Sequence, residues 1–115
     1  MRKLVLILTV AAMMVALSAG AALALNLTGD NGPDRLVGTA ENDTLRGLGG
    51  RDTLIGRGDS DRLFGGDGND FINAVDPGRG ETDRVNCGAG FDRVLIDPGT
   101  EDIVGGNCER VVVSR

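Results

Sequence analysis

Aliphatic residues recur along this chain at every ninth position, and the side chains beside them are mostly polar. The uninterrupted series is Leu27, Leu36, Leu45, Leu54, Leu63 and Ile72. Aspartate keeps the same period two positions before each member from Leu36 onward, and glycine keeps it seven positions before. A period this strict predicts a solenoid, in which each repeat packs only on its neighbours.

Five continuous nonapeptides fill residues 29–73, and the last of them, 65–73, reads Gly-Gly-x-Gly-x-Asp-x-aliphatic-x at every fixed position. Residues 74–77 interrupt the frame, which then resumes in 78–86 and 87–95. The aliphatic positions continue at the same interval to Ile103 and Val112. We interpret the insertion as a bulge in one loop, with a functional surface loop as the alternative, because insertions in solenoids often lie on the binding face.

The repeat predicts a loop of six residues followed by a strand of three. A helix is excluded because a glycine in a helix interior costs about 1 kcal/mol, and glycine recurs in every repeat. In each strand the middle side chain should point inward and its two neighbours outward. The residues before the aliphatic position fit an outward face, being Arg35, Thr44, Thr53, Arg62, Arg84 and Arg93.

The N-terminus has the layout of a secretory signal peptide. Arg2 and Lys3 precede an apolar stretch, and small residues follow up to a cleavage site after Ala24. An uncleaved membrane anchor is the alternative, since residues 4–25 are about long enough to span a bilayer. We therefore predict a signal peptide over residues 1–24 and a secreted, extracellular domain over residues 25–115, with no membrane attachment after cleavage.

The processed chain is acidic and poor in large apolar side chains. With Arg2 and Lys3 removed, ten cationic residues face 17 acidic ones, so the net charge falls from −5 to −7. This charge disfavours a nucleic-acid partner. Aromatic residues make up only 3% of the chain, while 19 glycines make its ordering costly. Composition alone is typical of disorder, so a folded domain of this kind needs a metal or a disulfide.

The loop chemistry favours calcium. Glycines leave backbone carbonyl oxygens accessible, and each loop adds one carboxylate, which together make an all-oxygen ligand set. Ca²⁺ takes six to eight oxygens at flexible geometry, whereas Mg²⁺ keeps several waters. Zinc and copper favour His or Cys, and the chain has no His. A single aspartate could instead be a turn residue that caps its own backbone, but seven of them keep the same phase.

The period also predicts where the loops lie. If two nonapeptides form one coil, loops on the same edge recur every 18 residues. One edge then stacks the loops of Asp34, Asp52, Asp70 and Asp92, and the other stacks those of Asp43, Asp61 and Asp83. Several calcium ions between successive loops would offset the repulsion of the stacked carboxylates, so we expect folding to be coupled to metal binding.

The nonapeptide resembles the RTX, or haemolysin-type, calcium-binding repeat, and small secreted bacterial calcium-binding proteins more than the large toxins. The resemblance implies an all-β fold, a parallel β-roll that is a two-sheet β-solenoid with two nonapeptides per coil, here after a signal-peptide helix. It covers repeats 29–73 and 78–95 and leaves a degenerate C-terminal cap, 96–115. Glu41, Asp59 and Glu81 stand where the family has glycine. The implied calcium ligands are Asp34, Asp43, Asp52, Asp61, Asp70, Asp83 and Asp92.

Cys87 and Cys108 are the only cysteines. In an exported chain they are expected to form a disulfide that holds the C-terminal cap, with two free thiols as the alternative. The sequence leaves open whether Glu101 or Asp102 serves the last loop.

The resulting hypothesis is a secreted, non-catalytic calcium-binding repeat protein. One alternative is an adhesion or binding module that presents one sheet to a cell-surface or matrix protein or glycan. Another is a hydrolase that uses paired carboxylates. A catalytic pair needs two different environments, whereas every aspartate here occupies the same kind of loop, so we predict that the protein is not an enzyme.

Overall fold

The computed structural model describes residues 24–77, 81–98 and 102–114, which form ten short strands. The predicted signal peptide and its helix, residues 1–24, fall outside these ranges except for Ala24, and they stay a prediction. Within the described ranges, no helix is long and apolar enough to cross a membrane.

Alternate strands form two parallel sheets. The odd sheet has the order β1-β3-β5-β7-β9 and the even sheet has the order β2-β4-β6-β8-β10. Successive nonapeptides therefore enter opposite sheets, and two of them make one coil, which confirms the predicted two-sheet parallel β-solenoid. The strands are β1 Asn26–Thr28, β2 Arg35–Val37, β3 Thr44–Arg46, β4 Thr53–Ile55, β5 Arg62–Phe64, β6 Phe71–Asn73, β7 Arg84–Asn86, β8 Arg93–Ile96, β9 Ile103–Val104 and β10 Arg110–Val113.

The core is one row of aliphatic side chains between the two sheets. Each of the first eight strands buries the predicted middle residue, while the residue before it is exposed or half-buried. The loop-and-strand prediction is thereby confirmed for these strands. The buried residues are Leu27, Leu36, Leu45, Leu54, Leu63, Ile72, Val85 and Val94, joined by Ala74 and Cys87.

The insertion at residues 74–77 lies in the loop between β6 and β7 and leaves the sheet register intact. Leu45 pairs with Leu63, and Leu63 pairs with Val85 in the next coil despite four additional residues. Ala74 takes the place of the glycine that opens the regular loops, since its amide donates to the Leu95 carbonyl at 2.9 Å, as the Gly56 amide does to Asn73 at 3.0 Å.

The predicted inward positions of the last coil are wrong by one residue. Ile103 pairs with Arg84, which faces outward, and is 52% exposed. Its neighbour Val104 pairs instead with the inward Val85. On β10, Val111 rather than Val112 pairs with Val94, although Val111, on the edge strand of the sheet, is 43% exposed and Val112 is half-buried. The register there follows the acidic residue that precedes each strand, as described below, and not the interval of nine.

Cys87 and Cys108 form a disulfide, with their Cα atoms 5.2 Å apart. Cys87 is fully buried in the core, and Cys108 packs against it from the segment before β10. The bond therefore ties the last strand to the loop that precedes β8, as expected of a C-terminal cap.

Replacing Cys87 and Cys108 together by alanine should lower the free energy of unfolding by about 3 kcal/mol, because the bond closes a loop of about 20 residues. Denaturant unfolding at fixed calcium concentration measures the change. An unchanged midpoint would show that strand pairing alone holds the cap.

Candidate metal centre

Seven aspartates line the two edges of the roll as two hydrogen-bonded ladders. The first ladder contains Asp34, Asp52, Asp70 and Asp92, and the second contains Asp43, Asp61 and Asp83. Each aspartate Oδ1 from the second coil onward accepts a hydrogen bond from the backbone amide of the aspartate one coil earlier, at 2.7 to 2.9 Å. All seven are buried. The structure thus brings the sequence-predicted residues together on the two edges predicted for them.

Each ladder ends on an acidic residue outside the seven predicted aspartates, namely Asp102, one of the two candidates left open for the last loop, and Glu109, which was not predicted. Asp102 Oδ1 accepts from the Asp83 amide at 3.0 Å, and Glu109 Oε1 accepts from the Asp92 amide at 2.8 Å. Glu101 lies outside the described residues. The sequence did contain a signal for Glu109, because the triplets acid–Arg–Val at 83–85 and 92–94 recur at 109–111. Each ladder position fixes the strand after it, which explains the shifted register of the last coil.

The second carboxylate oxygen distinguishes the first loop of each ladder from the later loops. In the first loop of each ladder, Oδ2 accepts a hydrogen bond from an amide of its own loop. The Asp30 amide donates to Asp34 Oδ2 at 2.8 Å, and the Thr39 amide donates to Asp43 Oδ2. Four later aspartates have a buried Oδ2 with no hydrogen-bond partner among the described residues. These are Asp61, Asp70, Asp83 and Asp92. A buried carboxylate oxygen without a partner is costly and rare, so these positions suit a bound cation.

The backbone conformation of the loops also differs between the first loops and the later ones. The residue after the opening position has a positive φ in three of the four loops whose Oδ2 is open, with φ 75° at Arg57, 83° at Gly66 and 83° at Gly88, while the loop of Asp83 differs. Non-glycine residues seldom adopt this region, yet Leu48 (φ 72°) and Asp59 (φ 68°) also do. The stacking of the loops therefore overrides local preference, which is typical of functional sites.

In the loops that open with glycine, the glycine is favoured by the nearby carboxylate and not by its φ. A Cβ added at Gly56 would lie 2.5 Å from Asp61 Oδ2, and one added at Gly65 would lie 2.6 Å from Asp70 Oδ2 and 2.7 Å from the Cys87 carbonyl oxygen. Neither glycine has a positive φ. Close stacking of carboxylates and carbonyl oxygens on the glycine Cα thus explains why the period includes glycine at this position.

Burial raises the pKa of four of the ladder carboxyls. Desolvation, with repulsion from neighbouring carboxylates, raises the pKa of Asp61 and Asp83 to about 8 and that of Asp70 to about 7. Desolvation also raises the pKa of Asp92. Hydrogen bonds from the amides of the preceding coil oppose these shifts. At neutral pH the ladders therefore favour bound protons or cations over free negative charge.

The insertion contributes a carboxylate that sequence reasoning missed. Asp76 is 5% exposed and lies near Asp61 and Asp83, with one carboxylate oxygen of each of the three within 4.8 Å of the others. Its acidic side chain inside an interruption of the frame was the available signal. The donor set of both ladders is oxygen alone, which fits Ca²⁺ and does not fit metals that select nitrogen or sulfur.

Comparison with protein families agrees with this chemistry. A family model described as the RTX calcium-binding nonapeptide repeat (4 copies) matches residues 28–63 and 47–74. No curated protein and no solved structure matches the chain.

Proposed function

We propose that this chain, which carries RTX calcium-binding nonapeptide repeats, is a secreted, non-catalytic protein that folds when several calcium ions bind between its stacked loops. The observation that carries the proposal is the row of buried, unpartnered carboxylate oxygens on both ladders. Its members are Asp61, Asp70, Asp83 and Asp92.

The ligands of the proposed ions are the seven ladder aspartates together with backbone carbonyls of the glycine loops. Bound calcium supplies positive charge where stacked carboxylates would otherwise repel one another and lose hydration without compensation. Asp34 and Asp43 contribute least, because loop amides already satisfy their Oδ2 atoms. The binding free energy becomes folding free energy, since the chain has few other sources of stability.

Export fits the same chemistry. The extracellular modules that bind calcium weakly, with Kd of about 10⁻⁴ to 10⁻³ M, require the high calcium concentration outside the cell. The disulfide between Cys87 and Cys108 suits an oxidising compartment. We therefore assign residues 1–24 to a cleaved leader and residues 25–115 to the working domain.

Far-UV circular dichroism tests the proposal. The protein with its disulfide intact should give a coil spectrum in chelator and a β-sheet spectrum in millimolar CaCl₂, with a cooperative transition between them. Titration with MgCl₂ is the control and should leave the coil spectrum unchanged, because Mg²⁺ retains its waters and demands octahedral geometry. A β-sheet spectrum in chelator that calcium does not change would refute the coupling of folding to calcium.

A further inference from the structure

We infer that the four-residue insertion at 74–77 builds a calcium site of its own, in which Asp76 completes a three-carboxylate cage with Asp61 and Asp83. The inference rests on the proposed calcium function and extends it to a site that the nonapeptide formula does not contain. The nonapeptide formula supplies one carboxylate to each regular loop, here those of Asp61 and Asp83. Asp76 adds a third carboxylate from outside the repeat frame.

The geometry of the cluster suits one ion. One carboxylate oxygen of each residue lies within 4.8 Å of the other two. Oxygens on opposite sides of a Ca²⁺ ion are about 4.6 to 5.2 Å apart, since each Ca–O distance is about 2.3 to 2.6 Å. A single calcium ion can therefore contact all three carboxylates. Among the described residues, no other three His, Cys, Asp or Glu side chains form such a group.

Unpartnered oxygens point independently to a ligand. Asp61, Asp76 and Asp83 are 1%, 5% and 0% exposed. Within the part of the chain that the structure describes, each has one buried carboxylate oxygen without a hydrogen-bond partner, Oδ2 in Asp61 and Asp83 and Oδ1 in Asp76. Three such oxygens in one place are unusual for a folded protein, in which buried polar atoms are almost always satisfied.

The remaining oxygens of the cluster hold it in place. Asp76 Oδ2 accepts from the Glu81 amide at 2.9 Å, and the Asp76 amide donates to Asp97 Oδ2 at 2.7 Å. Asp61 Oδ1 and Asp83 Oδ1 belong to the second ladder. The longer loop is thus held by one bond within itself and one bond to the segment after β8, with one oxygen of each carboxylate left for the ion.

The cluster adjoins a surface groove of about 300 Å³ at Asp61. The groove is lined by Ser60, Asp61 and Thr82, together with Arg62 and Arg84. Because ligand charge and site rigidity set calcium affinity, three fixed carboxylates should make this the tightest site of the roll.

Isothermal titration with CaCl₂ tests the inference on the purified protein with its disulfide intact. Asp76→Asn keeps the size of the side chain and an oxygen for the Glu81 amide, but removes the charge. We expect this variant to lose the tightest site, so that one ion fewer binds or that its affinity falls at least tenfold, with the weaker sites unchanged. The matched control is Asp67→Asn, the same change at an exposed side chain in a loop of the first ladder, which should titrate as the unaltered protein does.

The outcomes separate the inference from the function on which it rests. Absence of calcium uptake by the unaltered protein refutes the proposed function. Uptake by Asp76→Asn with the original number of ions and the original affinities refutes only the insertion site. Deleting residues 74–77 restores the interval of 18 between Asp61 and Asp83, so this second variant should fold in calcium and also lack the tightest site. Retention of that site after the deletion would equally overturn the inference.

Discussion

Gly68→Ala should destabilise the calcium-bound roll by about 4 kcal/mol, which combines a strained backbone with an overpacked contact. Gly68 has φ 102°, a conformation that alanine rarely adopts. A Cβ at this position would also overlap the Gly50 carbonyl oxygen in the coil below and lie 2.9 Å from its carbonyl carbon. Backbone atoms on both sides of the contact leave no flexible group that could move away.

Thermal unfolding in saturating CaCl₂ measures the effect of this substitution, and Gly58→Ala is the matched control. Gly58 lies in a loop of the opposite edge, its φ is outside the left-handed region, and its added Cβ would be 3.6 Å from the nearest atom, an ordinary contact. We expect the control to change stability by less than about 1 kcal/mol. Similar melting temperatures for Gly68→Ala and the unaltered protein would mean that the loops do not stack as closely as described.

The pH dependence of the calcium-free protein should be opposite to that of a protein stabilised by salt bridges. The folded-state pKa values of Asp61 and Asp83, about 8, and of Asp76, about 6, lie above the ordinary aspartate value of 3.8. The folded state then binds more protons than the unfolded state between about pH 4 and pH 8, so the free energy of unfolding falls as the pH rises through this range. The contribution is complete below about pH 4 and absent above about pH 8.

Thermal melts at pH 5 and pH 8, in buffer dialysed free of calcium and in CaCl₂, measure this dependence. Without calcium, β-structure should be more abundant and more stable at pH 5. Calcium competes with the bound protons, so its stabilising effect should be larger at pH 8. A calcium-free protein that gains stability from pH 5 to pH 8 would contradict the raised pKa values.

The sequence predicts most of this fold because the same contacts recur from coil to coil. The opening glycines, such as Gly56, lie against the carboxylate of their own loop, and each ladder aspartate hydrogen-bonds to the adjacent coil. Ala74 and Cys87 replace the opening glycine in the two loops after β6, where the ladder hydrogen bonds persist. For this reason the eight inward residues from Leu27 to Val94 and the two ladders could be identified from spacing alone.

The interval of nine does not predict the inward residues where the ladder hydrogen bonds come from residues at other intervals. In the last coil, Asp102 and Glu109 take the ladder positions, which are 19 and 17 residues after Asp83 and Asp92. The strands follow these acids, so Val104 and Val111 take the inward register in place of the predicted Ile103 and Val112. Asp76 escaped prediction for a related reason. It lies outside the frame, and only the folded loop brings it to Asp61 and Asp83.

The ladder hydrogen bonds all run in one direction along the chain. The Asp34 amide donates to the side chain of Asp52, and the Asp52 amide donates to that of Asp70. A coil that is synthesised first therefore cannot form its ladder hydrogen bond until the next 17 to 22 residues have followed it. Each coil therefore completes its ladder only after the coil that follows it has been added. The carboxylates of Asp102 and Glu109 and the disulfide complete the last coil.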